Sequence, residues 1–121
     1  MSGTWRGKVV TTPEFDRWFK TLDDSRRKKL QTAINQLAAT GPHIEGKYAT
    51  RLVGNGKPFS ELRVQTLRAL YAFDRNRNAV LLCGGDKAGE WTDWYDSAFK
   101  VARHIFATHL ASLPHTPGAA K

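Results

Sequence analysis

Hydrophobic spacing divides this chain into a helical first part, a strand-rich middle and a helical end. Phe15, Trp18, Phe19 and Leu22 recur at i, i+3, i+4 and i+7, the spacing of one helix face. Thr12, Pro13 and Glu14 ahead of them suit an N-cap, a first helical position and an acidic first turn. A second stripe of Leu30, Ala33, Ile34, Leu37 and Ala38 predicts another helix, capped by Asp23 or Asp24 and stopped at Gly41 and Pro42. The two read as a helical hairpin that follows a strand over residues 5–11.

After residue 50 the period shortens toward that of strands. Residues 51–53 read as a short strand ahead of the turn Gly54, Asn55 and Gly56. Leu62 and Val64 alternate with Glu61, Arg63 and Gln65, so residues 59–64 form a strand with one apolar face. Residues 67–73 are apolar on both faces except at Arg68, the pattern of a strand buried in the middle of a sheet. A polar turn over 74–78 leads to a strand over 79–83, and residues 84–89 read as a loop with glycines as turn formers. The closing helix, capped by Thr92 or Asp93, buries Tyr95, Ala98, Phe99, Ala102, Ile105, Phe106 and Leu110.

The order β-α-α-β-β-β-α predicts an α+β fold. It is a single small domain over residues 1–113, an antiparallel sheet with an N-terminal helical hairpin and a C-terminal helix. Residues 114–121, rich in Pro, Gly and Ala, read as a disordered tail.

Charge narrows the function. A net charge of +8 on 121 residues, from 19 Lys and Arg against 11 Asp and Glu, favours a polyanionic partner: RNA, DNA or an acidic protein. A basic surface kept for solubility is the plainer reading. The single cysteine, Cys83, excludes a disulfide framework and a cysteine zinc site, and its apolar neighbours suit a core role. His43, His104, His109 and His115 lack metal spacing, and the glycines at 84, 85 and 89 lack the GxxxxGK[ST] pattern, so no metal or cofactor is expected. No apolar run approaches the ~20 residues of a membrane span, and the first residues lack the pattern of a signal peptide. The expectation is a cytoplasmic protein with no membrane partner.

Strand register adds candidate chemistry. With Gln65 and Thr66 as a hairpin turn, Val64 pairs with Leu67 and Arg63 faces Arg68. Like charges placed opposite one another destabilise a sheet, so a visiting anion is a reason to keep them. With 75–78 as the next loop, Asp74 pairs with Ala79, Arg68 faces Gly85, and Lys87 emerges just beyond. Arg63, Arg68 and Lys87 then converge beside Trp91, Trp94 and Tyr95 at the start of the last helix. The plainer reading is a structural ion pair with Glu61, Asp74 or Asp86; the two coexist where a carboxylate orients a guanidinium.

Over roughly residues 8–112 these elements resemble the RelE/HigB toxins, particularly their phage-derived branch. The likeness rests on Glu61, Leu62 and Arg63, the run from Arg68 to Phe73, the run from Val80 to Lys87, and Trp94 with Tyr95. Thr12 to Phe15 and Thr40 to Pro42 match that branch's earlier landmarks. The resemblance implies a type II toxin that cuts messenger RNA, most often in the ribosomal A site. Its implied partners are mRNA, the ribosome and a small helix-turn-helix antitoxin, with operator DNA met only through the antitoxin.

The resemblance also places Arg63, Arg68 and Lys87 among the family's basic site residues and Tyr95 at the scissile phosphate. RelE proper has two lysines on the strand that here bears Phe59 and Glu61. HigB members often use a histidine and an aspartate, for which Asp96 or His104 would serve. In metal-free cleavage the 2′-hydroxyl attacks the adjacent phosphate, and guanidinium groups stabilise the growing charge. Lys87 and Tyr95 are the acid–base candidates, since neighbouring cations are expected to lower both pKa values.

RNA or ribosome contacts are expected from Arg26, Arg27, Lys28, Lys29, Lys57, Arg75 and Arg77, with Trp91 and Trp94 stacking on unpaired bases. The plainer readings are a solvated helix face for the basic run and core or interface packing for the tryptophans. Two rivals stand beside the nuclease. One is a ParE-type toxin, which shares the fold and inhibits a topoisomerase by binding. The other is a family member that only binds an antitoxin or nucleic acid.

Overall fold

Apolar residues on both faces of one strand require a cover on both sides of the sheet, and this sets the architecture. A computed structural model describes residues 5–88 and 91–114. Its strands are β1 (Val9–Thr11), β2 (Ala49–Arg51), β3 (Ser60–Val64), β4 (Leu67–Phe73) and β5 (Ala79–Asp86), in spatial order β1-β5-β4-β3-β2. Helices α1 (Pro13–Lys20) and α2 (Asp24–Thr40) precede β2, and α3 (Trp91–Ser112) closes the chain. One core joins the α1–α2 hairpin to Leu62, Leu67, Ala69, Tyr71 and Leu81. The other joins α3 to Phe59, Leu70, Ala72, Val80 and Leu82 on the opposite face. Central β4 is therefore buried along nearly its whole length.

Local chemistry sets the helix ends. The Thr12 side chain accepts from Phe15 N with Pro13 at the first helical positions, and Asp23 rather than Asp24 caps α2 through Arg26 N. Gly41 ends α2 at a φ of 55°, which glycine adopts without steric cost. Leu30, Ala33, Ile34 and Leu37 are buried as their spacing predicts, whereas Ala38 is exposed at the rim of the stripe. Among the described residues no helix is long and apolar enough to cross a membrane.

Four expectations need correction. The sheet is not wholly antiparallel, because β1 runs parallel to β5. The chain enters beside the 74–78 turn, where Trp5 Nε1 donates to the Arg77 carbonyl (2.8 Å) and Lys8 N to Asn78 Oδ1 (3.1 Å). It then follows β5 until the Thr12 hydroxyl reaches the Leu81 and Leu82 carbonyls. Only Val9–Thr11 of the expected 5–11 strand pairs, and the expected 51–53 strand lies at Ala49–Arg51 as a fifth strand, giving β-α-α-β-β-β-β-α.

The third correction is that Gly84 and Gly85 belong to β5, not to a loop. A Cβ on Gly84 would meet the Trp18 ring at 2.3 Å, and one on Gly85 would meet Trp94 Nε1 at 2.1 Å. These glycines seat an indole on each face of the strand. The fourth is that α3 starts at Trp91, so Thr92 and Asp93 lie inside it and its cap falls outside the described residues. The tail expected over 114–121 also lies outside them beyond Pro114.

The 74–78 turn is clasped from within. Asp74 Oδ1 accepts from Asn76 N (2.9 Å) and Asn78 N (3.0 Å), while Oδ2 lies 2.8 Å from His109 Nε2 of α3. Burial pushes the Asp74 carboxyl up, but the His109, Asn78 and Asn76 hydrogen bonds outweigh it and hold it below its ordinary range. A depressed folded pKa contributes stability above the unfolded carboxylate range and loses it as pH falls through the folded value. Asp74→Ala is expected to cost about 2–4 kcal/mol, since it strands two part-buried N–H groups and the part-buried His109 imidazole. Urea unfolding should show this deficit at neutral pH and a smaller one in acid.

Candidate functional site

The hairpin at Gln65 and Thr66 forms, with Gln65 in the left-handed region at a φ of 56°, a conformation that glycine or asparagine adopts more readily. Val64 pairs with Leu67, Arg63 lies directly across from Arg68, and Arg68 in turn faces Gly85. The β4–β5 register reaches that point by a different route. Phe73, not Asp74, pairs with Ala79, and an irregularity between Leu70 and Tyr71 restores the offset. Lys87 N then donates to Thr66 O at 3.0 Å, so Lys87 leaves β5 beside the same turn. Three adjacent strands thus bring Arg63, Arg68 and Lys87 to one end of the sheet.

Their side chains are already engaged. Arg63 is half-buried, and its Nη2 donates to the Gly46 carbonyl at 2.6 Å. Arg68 is only 8% exposed; its Nη1 donates to the Gln65 and Leu67 carbonyls at 2.7 Å each. The two guanidinium groups therefore rest on separate carbonyls although their backbones are paired. Glu61, 5% exposed, sets Oε2 3.8 Å from Arg68 Nε, a buried nitrogen with no hydrogen-bond partner. Of the carboxylates considered for Arg68, it is Glu61 that pairs with it.

Tyr95, from the first turns of α3, donates its hydroxyl to Glu61 Oε1 at 2.5 Å. The expectation that cations lower its pKa is overturned. Burial raises it, the Glu61 hydrogen bond and charge raise it further, and these outweigh Arg68, pushing it up to about 12. At neutral pH the phenol is a proton and hydrogen-bond donor and not a base. Glu61 is the site residue that a search for cations passes over. Strand alternation places it on the Arg63 face, diagonal to Arg68, and that was its signal.

The remaining candidates fall into two groups. Arg26 reaches Asp86 at 3.4 Å, tying the start of α2 to the last residue of β5. Arg27 pairs with Asp24 and is half-buried, while Lys28 and Lys29 are exposed, so this basic run borders the Arg68 end. Hydrogen bonding from Ala88 N holds the Asp86 carboxyl below its ordinary range, with Thr66, Arg26 and Arg68 acting in the same direction.

Lys57, Arg75 and Arg77 lie at the other end, roughly 20 Å away by the rise of β4. There Arg75 Nη2 donates to the Leu110 carbonyl at 3.1 Å. A cleft of about 540 Å3 is also at that end, lined by Trp5, Arg6, His43 and Arg77 among others. It does not coincide with the arginine pair.

Trp94 packs on Gly85 and meets the Tyr95 ring at 4.9 Å, so its indole serves the fold first. The Trp91 side chain lies outside the described residues. Asp96 and His104 are exposed on α3. Burial pushes the Cys83 thiol up to about 11, with Glu14 adding to the shift, which leaves it un-ionised and consistent with a core role. Among the described residues no group of His, Cys, Asp or Glu could hold a metal ion. Gly85→Ala is expected to expel the Trp94 ring and cost about 1–3 kcal/mol. A shifted tryptophan emission and a lower melting temperature would check it.

Residues 17–107 match the family model described as Phage derived protein Gp49-like. Two putative toxins of Mycobacterium tuberculosis, HigB2 and HigB3, are each 36% identical to this chain. The HigB3 match covers 86% of this chain and 94% of that protein; the HigB2 match covers 91% of this chain but only 58% of that protein. A mutant of the E. coli toxin RelE in the free state superposes with a TM-score of 0.58 at 15% identity, over 78% of this chain and 95% of that one. A chain of the archaeal RelE–RelB complex from Pyrococcus horikoshii gives a TM-score of 0.56 at 14% identity, over 68% and 96% of the two chains. At such identities the structures show a shared fold.

Proposed function

This chain belongs to the phage-derived Gp49-like family, within the RelE/HigB group of toxins, and from that premise we propose that it arrests growth by cutting messenger RNA. The observation that supports this most is the register that sets Arg63 opposite Arg68, with Lys87 leaving the next strand. Like charges on directly paired strand positions repel, even though each guanidinium has its own carbonyl partners. A phosphodiester between them would turn that repulsion into attraction.

In this scheme the 2′-hydroxyl gives its proton to solvent water as its oxygen attacks the adjacent phosphorus. The bond to the in-line 5′-oxygen breaks without a metal ion, and a 2′,3′-cyclic phosphate is left as the 5′-oxygen departs with a proton. Charge grows on the phosphoryl oxygens, where Arg63, Arg68 and Lys87 stabilise it. Arg63 exchanges its exposed bond to Gly46 O for a phosphate oxygen. Tyr95, held protonated, donates to a phosphoryl or leaving oxygen. The ribosome supplies the in-line geometry, and the basic run Arg26 to Lys29 grips ribosomal RNA phosphates without reading sequence. Lys57, Arg75 and Arg77 offer a second contact with the ribosome at the far end. The cognate antitoxin is a small helix-turn-helix protein through which operator DNA is met, and the site of action is the cytoplasm.

One observation favours a binding-only reading: Arg68 is nearly enclosed and already paired with Glu61. Induction in bacteria separates the possibilities. The nuclease stops translation first; a ParE-like toxin would disturb DNA supercoiling first; a degenerate relative would do neither.

A further inference from the structure

Glu61, Arg68 and Tyr95 form a polar group on the sheet face that α3 covers, at the rim of its apolar core. Glu61 comes from β3, Arg68 from β4 and Tyr95 from α3; Leu70 lies across from Glu61 and the Phe99 ring against Tyr95. Both carboxylate oxygens are committed, Oε1 to the Tyr95 hydroxyl at 2.5 Å and Oε2 toward Arg68 Nε at 3.8 Å. A carboxylate is costly to bury unless its partners make good the lost hydration. Here Arg68 Nε stays buried and without a hydrogen-bond partner.

We propose that Glu61 is a positioning residue of the candidate site, fixing the Arg68 guanidinium and the Tyr95 hydroxyl relative to one another for an incoming phosphodiester. The like charge on Glu61 opposes the phosphate, so binding is weaker than the arginines alone would give. In exchange, both donors are set before the RNA arrives. The negative charge beside the phenol also keeps its proton in place, with Arg68 as the opposing cation. Tyr95 ring neighbours on α3 are Trp94 and Phe99, which add no charge.

The effect on cleavage rests on the nuclease reading; the effects on Tyr95 and on RNA affinity do not. The test uses the full chain as wild type, Glu61→Gln, Glu61→Asp and Tyr95→Phe. Ultraviolet titration of wild type minus Tyr95→Phe isolates the Tyr95 phenol, expected at about 12. In Glu61→Gln it should fall toward the ordinary tyrosine value, and in Glu61→Asp part of the way. A single-stranded RNA oligonucleotide should bind Glu61→Gln several-fold more tightly than wild type.

On programmed ribosomes kcat for Glu61→Gln should drop about 10²-fold, the scale of misplaced reacting groups, without a rise in KM. Glu61→Asp should recover part of that loss. A Glu61→Gln protein with unchanged Tyr95 titration and unchanged RNA affinity overturns the proposal. So does a loss of rate carried wholly by KM. If Glu61→Gln does not fold, the same readouts on Glu61→Asp decide. If the wild type leaves RNA uncut, the nuclease reading fails, and the titration and affinity alone decide the role of Glu61.

Discussion

Arg68→Ala is expected to slow RNA cleavage about 10²–10³-fold, the usual cost of one pre-positioned donor to a developing oxyanion. The substitution also removes the cation beside the buried Glu61 carboxylate. An uncompensated buried charge costs about 3–5 kcal/mol, so loss of folding must be told apart from loss of chemistry. Arg68→Lys makes that distinction. It keeps a positive charge next to Glu61 but loses the planar guanidinium whose Nη1 donates to both the Gln65 and Leu67 carbonyls. It should melt near the wild type and still cleave at least ~10-fold more slowly, because a point charge cannot hold two oxygens at fixed angles. Single-turnover cleavage with programmed ribosomes, beside a circular-dichroism melt, reads both effects.

Phe59→Ala is expected to cost about 3–5 kcal/mol and to leave little folded protein at body temperature. Phe59 is fully buried, stacked with Phe99 at 6.4 Å and edge-on to Phe106 at the same spacing. Only partial collapse of α3 onto β4 could fill the hole. The resemblance to RelE leads one to expect lysines on the strand that here bears Phe59 and Glu61. Here one is core and the other is the partner of Arg68 and Tyr95. Phe59→Lys should therefore destabilise the fold and restore no activity. Urea midpoints for the two variants check this.

Much of this molecule could be read from its residues, for identifiable reasons. The Arg63–Arg68 pairing followed from a two-residue turn, because turn length fixes hairpin register and register fixes which side chains meet. The helix caps at Thr12 and Asp23 were equally local. What escaped was non-local. Gly84 and Gly85 look like a turn in sequence, yet they are strand residues flattened to receive Trp18 and Trp94 from elements far away in the chain. The irregularity in β4–β5 compensates a one-residue error at the 74–78 turn, where the Asp74 clasp displaces the pairing.

The candidate site divides the same way. Strand register put Arg63, Arg68 and Lys87 at one end of the sheet, but register carries no information on where a guanidinium turns. Tyr95 was expected to feel its cations; a carboxylate from β3 reached it first. The basic residues of the 74–78 turn and Lys57 look like the others in sequence and lie at the far end of β4 in space.

Mapping the 5′ ends of transcripts by primer extension, shortly after inducing the wild type beside Arg68→Ala, puts the cutting role of this sheet end to its most direct trial. New ends within reading frames should appear with the wild type and be missing with a stably accumulated variant. The same ends from both proteins, or none from a wild type that still arrests growth, would contradict it.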